Sequence, residues 1–253
     1  MANRPLILVT NDDGYDAAGI AALHQALATF ADVITVAPLR EQSAKSHAIS
    51  LHRPLRHRVH AGDVHSVDGT PVDCVYVALF RTDLLPRRPD LVASGINHGP
   101  NLGSDVHYSG TVAAAREAAM RGVPAVAFSA QGRDFDYCAP VAASICQRFL
   151  NAALPAGPVP LLNVNFPKGS NRGLRPTRLG LRHYADGVAV RQDPRGMDYY
   201  WIGGAGGPRH ERLEGSDTDA VDDGFVSVTP LSFSVTRADH MGIAAWVSSD
   251  ARD

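Results

Sequence analysis

Leu6-Ile7-Leu8-Val9-Thr10-Asn11-Asp12-Asp13-Gly14 reads as a short apolar strand that delivers two adjacent carboxylates straight into a turn. An unbroken apolar run of this length marks a strand buried on both faces. Neighbouring carboxylates repel when both are ionised, so a fold that places them together offsets the repulsion with a cation or by raising one pKa. A hard divalent metal is the leading candidate. Asn, Asp and Gly are also ordinary turn and helix N-cap residues, so on this segment alone the same residues can simply end a strand and start a helix.

Working outward, residues 20–30 read as an amphipathic helix and residues 32–37 as a second apolar strand ending at Pro38, which completes a βαβ unit. The alternation continues. Thr70-Pro71 opens a helix through Phe80, residues 89–93 form a buried strand, and residues 111–121 form an Ala-rich helix stopped by Gly122. Residues 125–129 (strand), 137–152 (helix) and 161–165 (strand) follow. Strands alternating with helices predict an α/β fold: a three-layer αβα sandwich with a Rossmann-like, mostly parallel sheet.

Two stretches break the rhythm. Residues 49–67 read as an antiparallel hairpin whose cations form a solvated face. Residues 171–212 turn polar, Gly-rich and aromatic (Tyr199, Tyr200, Trp201), consistent with extended β arms that serve subunit contacts. Residues 225–231 alternate like a half-buried strand, and a terminal helix or strand follows. The expected organisation is a catalytic core over residues 1–170 and a β-rich extension over residues 171–253 that packs back on it and mediates oligomerisation.

Composition narrows the function. The 253 residues, 45% hydrophobic and 20% charged with net charge −2, describe an ordinary globular protein without a polybasic surface for a nucleic-acid polymer. No apolar run approaches membrane-spanning length and no secretory leader is apparent, so a cytoplasmic location is expected. Cys74, Cys138 and Cys146 are odd in number without Cys-x-x-Cys spacing, which argues against disulfides or a zinc cluster.

In a doubly wound sheet the ligand crevice lies at the carboxyl ends of the strands. After the first strand come Asn11, Asp12 and Asp13; after the second Arg40, Gln42, Ser43, Lys45, Ser46 and His47; after the third the run from Ser94 to Asn101. Asp, Ser and Asn supply only oxygen ligands, which suits Mg²⁺, Mn²⁺ or Ca²⁺ and disfavours zinc. Tyr108-Ser109-Gly110-Thr111 then places small hydroxyls and free N–H groups at a helix N-terminus, a natural anion cradle, although Ser109 or Thr111 can equally be a simple cap.

Four segments together resemble the SurE family of metal-dependent 5′/3′-nucleotidases. They are the run from Leu8 to Gly14, the loop from Ala37 to Ser46, the Ser94 to Asn101 run with Tyr108 to Thr111, and the stretch from Asp217 to Leu231. The resemblance implies hydrolysis of nucleoside 5′- and 3′-monophosphates by a phosphoric monoester hydrolase, with short polyphosphate as a further candidate substrate. It also implies one divalent ion (Mg²⁺ or Mn²⁺) per subunit and a homodimer or homotetramer. Carried over by position, Asp12, Asp13, Ser43 and Asn97 fall where the family holds its metal, with Asp12, Asp13 and Asn97 catalytic. Asn101, Ser109, Gly110 and Thr111 fall where it meets phosphate. The chain departs from the family at Gln42-Ser43-Ala44-Lys45-Ser46, where relatives carry Arg-Ser-Gly-x-Ser; Ala44 excludes easy positive φ, and Lys45 or Arg40 stands in for the missing Arg.

The expected chemistry is attack of water on phosphorus with the metal offsetting charge. An aspartyl-phosphate route is disfavoured because the carboxylates are adjacent rather than spaced Asp-x-Asp. His98 and His107 flank the loops and are candidate proton donors to the leaving alkoxide. The rival reading is a non-catalytic nucleotide sensor using the same crevice. A dinucleotide-binding oxidoreductase is disfavoured because the first turn lacks Gly-x-Gly-x-x-Gly.

Overall fold

The apolar run becomes β1 (Leu6–Thr10), buried along its whole length inside a nine-stranded sheet. The computed structural model describes residues 4–154, 156–184, 187–203 and 208–248. In chain order the elements after β1 are α1 (Ala18–Ala28), β2 (Asp32–Pro38), β3 (His57–Ala61), β4 (Val64–Val67), α2 (Pro71–Phe80) and β5 (Leu91–His98). Then come α3 (Gly110–Met120), β6 (Ala125–Ala130), α4 (Phe135–Leu150), β7 (Leu161–Phe166) and β8 (Leu174–Pro176). The chain closes with β9 (Arg182–His183), β10 (Val188–Gln192), β11 (Asp198–Ile202), β12 (Arg209–His210), α5 (Asp217–Asp222), β13 (Val226–Leu231) and α6 (Met241–Ser248).

The sheet order is β3-β4-β2-β1-β5-β6-β7-β13-β8. Strands β4, β2, β1, β5, β6 and β7 run parallel, and antiparallel strands flank them, β3 against β4 and β13 against β7. Two apolar layers cover the sheet. On one face α1 and α4 bury Ile20, Leu23, Leu27, Ala142 and Cys146 against Ile7, Val9 and Phe128; on the other α2 and α3 bury Val75, Ala114 and Ala118 against Leu6, Leu8 and Val36. This is the αβα sandwich expected. The three cysteines are free and buried among these apolar groups, and burial pushes the Cys138 thiol up to about 12.

Helix ends follow their sequence signals. Thr70 and Asp73 form a reciprocal capping box ahead of Pro71, and the Ser109 side chain accepts from Val112 N–H at the start of α3. The flush seating of α1 depends on Gly19, because a Cβ there would stand 2.0 Å from the Ile96 carbonyl oxygen of β5.

The layers create the crevice. From β1 the chain leaves to α1 on one face, whereas from β5 it leaves to α3 on the other, so the carboxyl ends of these neighbouring strands diverge at a topological switch point.

Several elements differ from their expected extents. β5 continues to His98 instead of ending at 93, with irregular register against β6 between Ser94 and Asn97, so Asn97 stands on a strand end and not in a loop. The 49–67 hairpin narrows to β3 and β4, and β4 also pairs with β2, making the excursion the sheet edge. Within the 171–253 segment, β8 and β13 are integral strands of the main sheet, β9 pairs with β12, and β10 with β11. Helix α5 had no counterpart in the sequence reading. Among the described residues no helix is long and apolar enough to cross a membrane.

Candidate metal and phosphate site

The turn after β1 divides its labour. Asn11 closes it, its Nδ2 donating to the Gly14 carbonyl at 2.8 Å and its Oδ1 accepting the Gly14 N–H at 3.2 Å. Helix α1 starts only at Ala18, behind Ala17, with no side-chain cap. Asp12 and Asp13 are therefore not spent on capping α1.

Asp12 is 4% exposed, and burial raises its carboxyl to about 6 against the opposing hydrogen bond from Thr111, with Asp13 adding to the rise. The Thr111 hydroxyl donates to Asp12 Oδ1 at 2.5 Å, so this wholly buried residue holds the carboxylate over the first turn of α3. Gly110 makes the approach possible, since a Cβ on it would stand 2.8 Å from Asp12 Cβ and 2.9 Å from Oδ2. Asp13 is also pushed up by burial and by Glu41, and it accepts the His98 N–H at 3.3 Å across the crevice.

The loop after β2 is bound over this turn. Gln42 N–H donates to the Asp12 carbonyl at 2.7 Å, Ser46 N–H to the Tyr108 carbonyl at 3.0 Å and Ser46 Oγ to the His107 carbonyl at 2.6 Å. His47 Nε2 lies 2.9 Å from Glu117 Oε2 on α3, and Arg121 takes the other carboxylate oxygen. Between these tethers Ala44 takes φ +56° and Ser46 φ +51°. The left-handed geometry that favours glycine thus persists at Ala44. Ser43 donates to Glu41 at 2.8 Å.

Asn101 is fixed from the next strands. Its N–H donates to Asn165 Oδ1 and its Nδ2 to Ser129 Oγ, each at 2.8 Å, while its carbonyl accepts from Asn163 and Asn165. Sequence reasoning missed Ser129, Asn163 and Asn165, although Ser129 and Asn165 are polar residues next to the carboxyl ends of apolar strands β6 and β7 and obey the same rule that picked out Asp12; Asn163 lies in mid-strand and carries no such signal. Behind them, buried Asp217 clamps two distant turns, accepting Gly103 N–H at 3.0 Å and Gly180 N–H at 2.7 Å.

Asp12, Ser43, Asn97, His98, Asn101 and Ser109 line one cavity of about 680 Å³. Asp13 and Gly110 join this group through the His98 and Asp12 contacts, and Thr111 through its bond to Asp12. His107 is engaged through its carbonyl with Ser46. Among the described residues no three His, Cys, Asp or Glu side chains group together as a metal site. The donor set is instead two carboxylates with neutral Ser and Asn oxygens. It fits a hard divalent cation, because oxygen is the only donor type it offers and burial raises both carboxyls above their ordinary range, which a bound cation would offset.

Fold and site define a doubly wound α/β protein whose switch-point crevice joins oxygen donors to a helix N-terminus. A family model described as Survival protein SurE matches residues 7–186. A Sorangium cellulosum (strain So ce56) protein named 5′-nucleotidase SurE is 53% identical over 254 residues, covering 99% of this chain and 98% of that one. A Deinococcus radiodurans protein of the same name is 46% identical over 250 residues, covering 94% and 91%. The crystal structure of the SurE protein from Aquifex aeolicus matches with TM-score 0.84 and 40% identity over 97% of this chain and 100% of that one. The chain belongs to the SurE family.

Proposed function

We propose that this protein is a metal-dependent phosphomonoesterase that hydrolyses nucleoside 5′- and 3′-monophosphates, and short polyphosphate, to release phosphate. The carrying observation is the buried Asp12 carboxylate seated on the N-terminus of α3 and opening on a cavity shared with Ser43, Asn97 and Asn101. The relatives' shared name, 5′-nucleotidase SurE, agrees with this reading.

Asp12, Asp13, Ser43 and Asn97 would hold one Mg²⁺ or Mn²⁺. Bound there, such an ion supplies positive charge to the phosphate and acidifies water. The remaining work belongs to the chain. Thr111 and Gly110 orient Asp12, and the first turn of α3 with Ser109 presents N–H and O–H donors to phosphate oxygens. The Asn101 backbone is held by the Asn163 and Asn165 amides of β7 and its side chain by the Ser129 hydroxyl of β6; because Ser129 Oγ can donate as well as accept, a half-turn of the Asn101 side-chain amide presents its NH₂ to the same oxygens. The reading also includes assembly of cytoplasmic dimers or tetramers through residues 171–253.

The test is phosphate release from AMP by purified protein with Mn²⁺ or Mg²⁺, with and without chelator. Turnover that chelator abolishes is expected, with loss of at least about a hundredfold in Asp12→Asn and Asp13→Asn, as for removal of one electrostatic group at a reacting centre. Binding of AMP without any phosphate release identifies the sensor instead, and near-normal turnover in both variants refutes the ligand assignment.

A further inference from the structure

At the edge of the sheet away from the crevice, β3 pairs with β4 in a register that breaks between Val59 and Ala61. None of its five residues is buried, so no apolar core holds the strand. Side chains do. His57 of β3 and His65 of β4 stand diagonally across the pair, with His57 Nε2 3.0 Å from His65 Nδ1. Their ring centres are 5.1 Å apart and their planes 23° apart, so the two nitrogens meet nearly end on. Behind His57, Arg81 at the end of α2 donates from Nη1 to Nδ1 at 2.8 Å, and Arg81 is itself gripped by both oxygens of Asp83, each at 2.8 Å. On the other face of β3, His60 stacks 3.8 Å from the Tyr15 ring and lies 2.8 Å from Ser66 Oγ.

The chain from Arg81 to His65 fixes every proton in it. A guanidinium only donates, so His57 Nδ1 accepts and the His57 hydrogen sits on Nε2; that Nε2–H donates to His65 Nδ1, which leaves the His65 hydrogen on its own Nε2. A proton added to His57 would aim Nδ1–H at the guanidinium. One added to His65 would aim Nδ1–H at the Nε2–H of His57, and shifting the His57 hydrogen to Nδ1 only moves the clash to Arg81. One proton therefore breaks one link, whichever ring takes it. The surrounding charges act in the same direction. Burial, then Arg81 and His65, with His60 adding, hold His57 below its ordinary 6.5 against the pull of Asp83. Burial also lowers His65, with Arg81 and His60 adding and Asp63 opposing.

Other bonds limit how far an opening can spread. At the base of the hairpin Arg56 N–H donates to Asp68 Oδ1 at 2.6 Å, and Asp68 N–H to the Arg56 carbonyl at 3.1 Å. Nearer the crevice loop, Ser50 N–H donates to Asp73 Oδ1 at 2.8 Å and the Thr70 hydroxyl to the Ala48 carbonyl at 2.7 Å.

We propose that the Arg81–His57–His65 chain is an acid-sensitive latch on the sheet edge: protonation of the histidine pair releases β3 from β4 and bares the outer backbone of β4, while the strands inside β4 stay folded. A bared edge is a pairing surface for extended backbone, so the latch confines that surface to acid conditions.

The test is native-state hydrogen exchange of the full-length protein, read as protection factors so that the intrinsic pH dependence of exchange cancels. An opening linked to one imidazole of ordinary pKa grows about thirtyfold between pH 7.5 and pH 5.0, and the amides of residues 57–61 are expected to lose protection by about that factor while β1 and β5 keep theirs. The double variant His57→Gln with His65→Asn, whose amides supply a donor and an acceptor that do not titrate, is expected to hold the protection of β3 within about threefold over the same range. Arg81→Met, which leaves room for a proton on His57 Nδ1, is expected to weaken the pH dependence, and it alone decides the matter if the double variant does not form β3. Protection of β3 that stays level in the wild type, that falls equally in the wild type and both variants, or that is lost together with β1 and β5 overturns the latch.

Discussion

Asp12 stores a conflict between stability and binding. Its native pKa of about 6 lies above the ordinary 3.8, so the folded state keeps a proton that the unfolded chain releases as pH rises between those values. Metal-free stability therefore falls through that window and stays lower above it, by up to ~3 kcal/mol for a shift of about two units. Asp12→Asn removes the charge but keeps an oxygen for the Thr111 hydroxyl. Urea unfolding of metal-free protein at pH 7 is expected to show the variant more stable by about 1–3 kcal/mol, with the difference vanishing near pH 4; equal stabilities at pH 7 would show that the carboxylate is not strained. Ala44 is a second site of this kind, a Cβ-bearing residue in left-handed backbone at a cost of about 1 kcal/mol. The tethers from Gln42, Ser46 and His47 hold it there.

At the scale of elements, α3 ranks tertiary demand above local preference. Its first residue is Gly110, a weak helix former where Ala would propagate better by about 1 kcal/mol. The close approach of Asp12 explains the choice. Gly110→Ala is expected to destabilise the protein by about 1–3 kcal/mol in thermal or urea unfolding despite its better propensity, since the new methyl group overlaps backbone-anchored Asp12. Phosphate release from AMP should fall with it, because Asp12 must move. A variant as stable and active as wild type would mean that the turn and the helix end are not in register. The Thr70 capping box was legible as a helix start, and the Ser109 cap as one of two open readings, because caps are local; the reach of Asp217 to Gly103 and Gly180 was not, because nothing near Asp217 in sequence reports it.

For the whole molecule, the outstanding feature is apolar surface gathered in the C-terminal third. Paired across the β10–β11 ribbon, Val188 faces Ile202 and Val190 faces Tyr200, and all four are exposed. Two-stranded ribbons are marginal alone in water, which favours burial of this face in a second subunit. Sedimentation is expected to give a multiple of the 26.9 kDa chain mass, and Val190→Glu to yield a smaller assembly. A monomer at micromolar concentration would refute the assembly.

The fold class, the alternation of strands and helices and the first carboxylate pair were decided by the sequence, because strand burial, helix periodicity and caps are written in residues a few positions apart. With the resemblance carried by its motifs, it also indicated Ser43, Asn97, Asn101 and Ser109 to Thr111. Only tertiary structure decided that β5 runs on to carry Asn97, that Ser129, Asn163 and Asn165 hold Asn101, and that Tyr184 lines the same cavity as Asp12. Those relations join residues separated by tens of positions, and they exist only once the sheet has brought its strand ends to one rim.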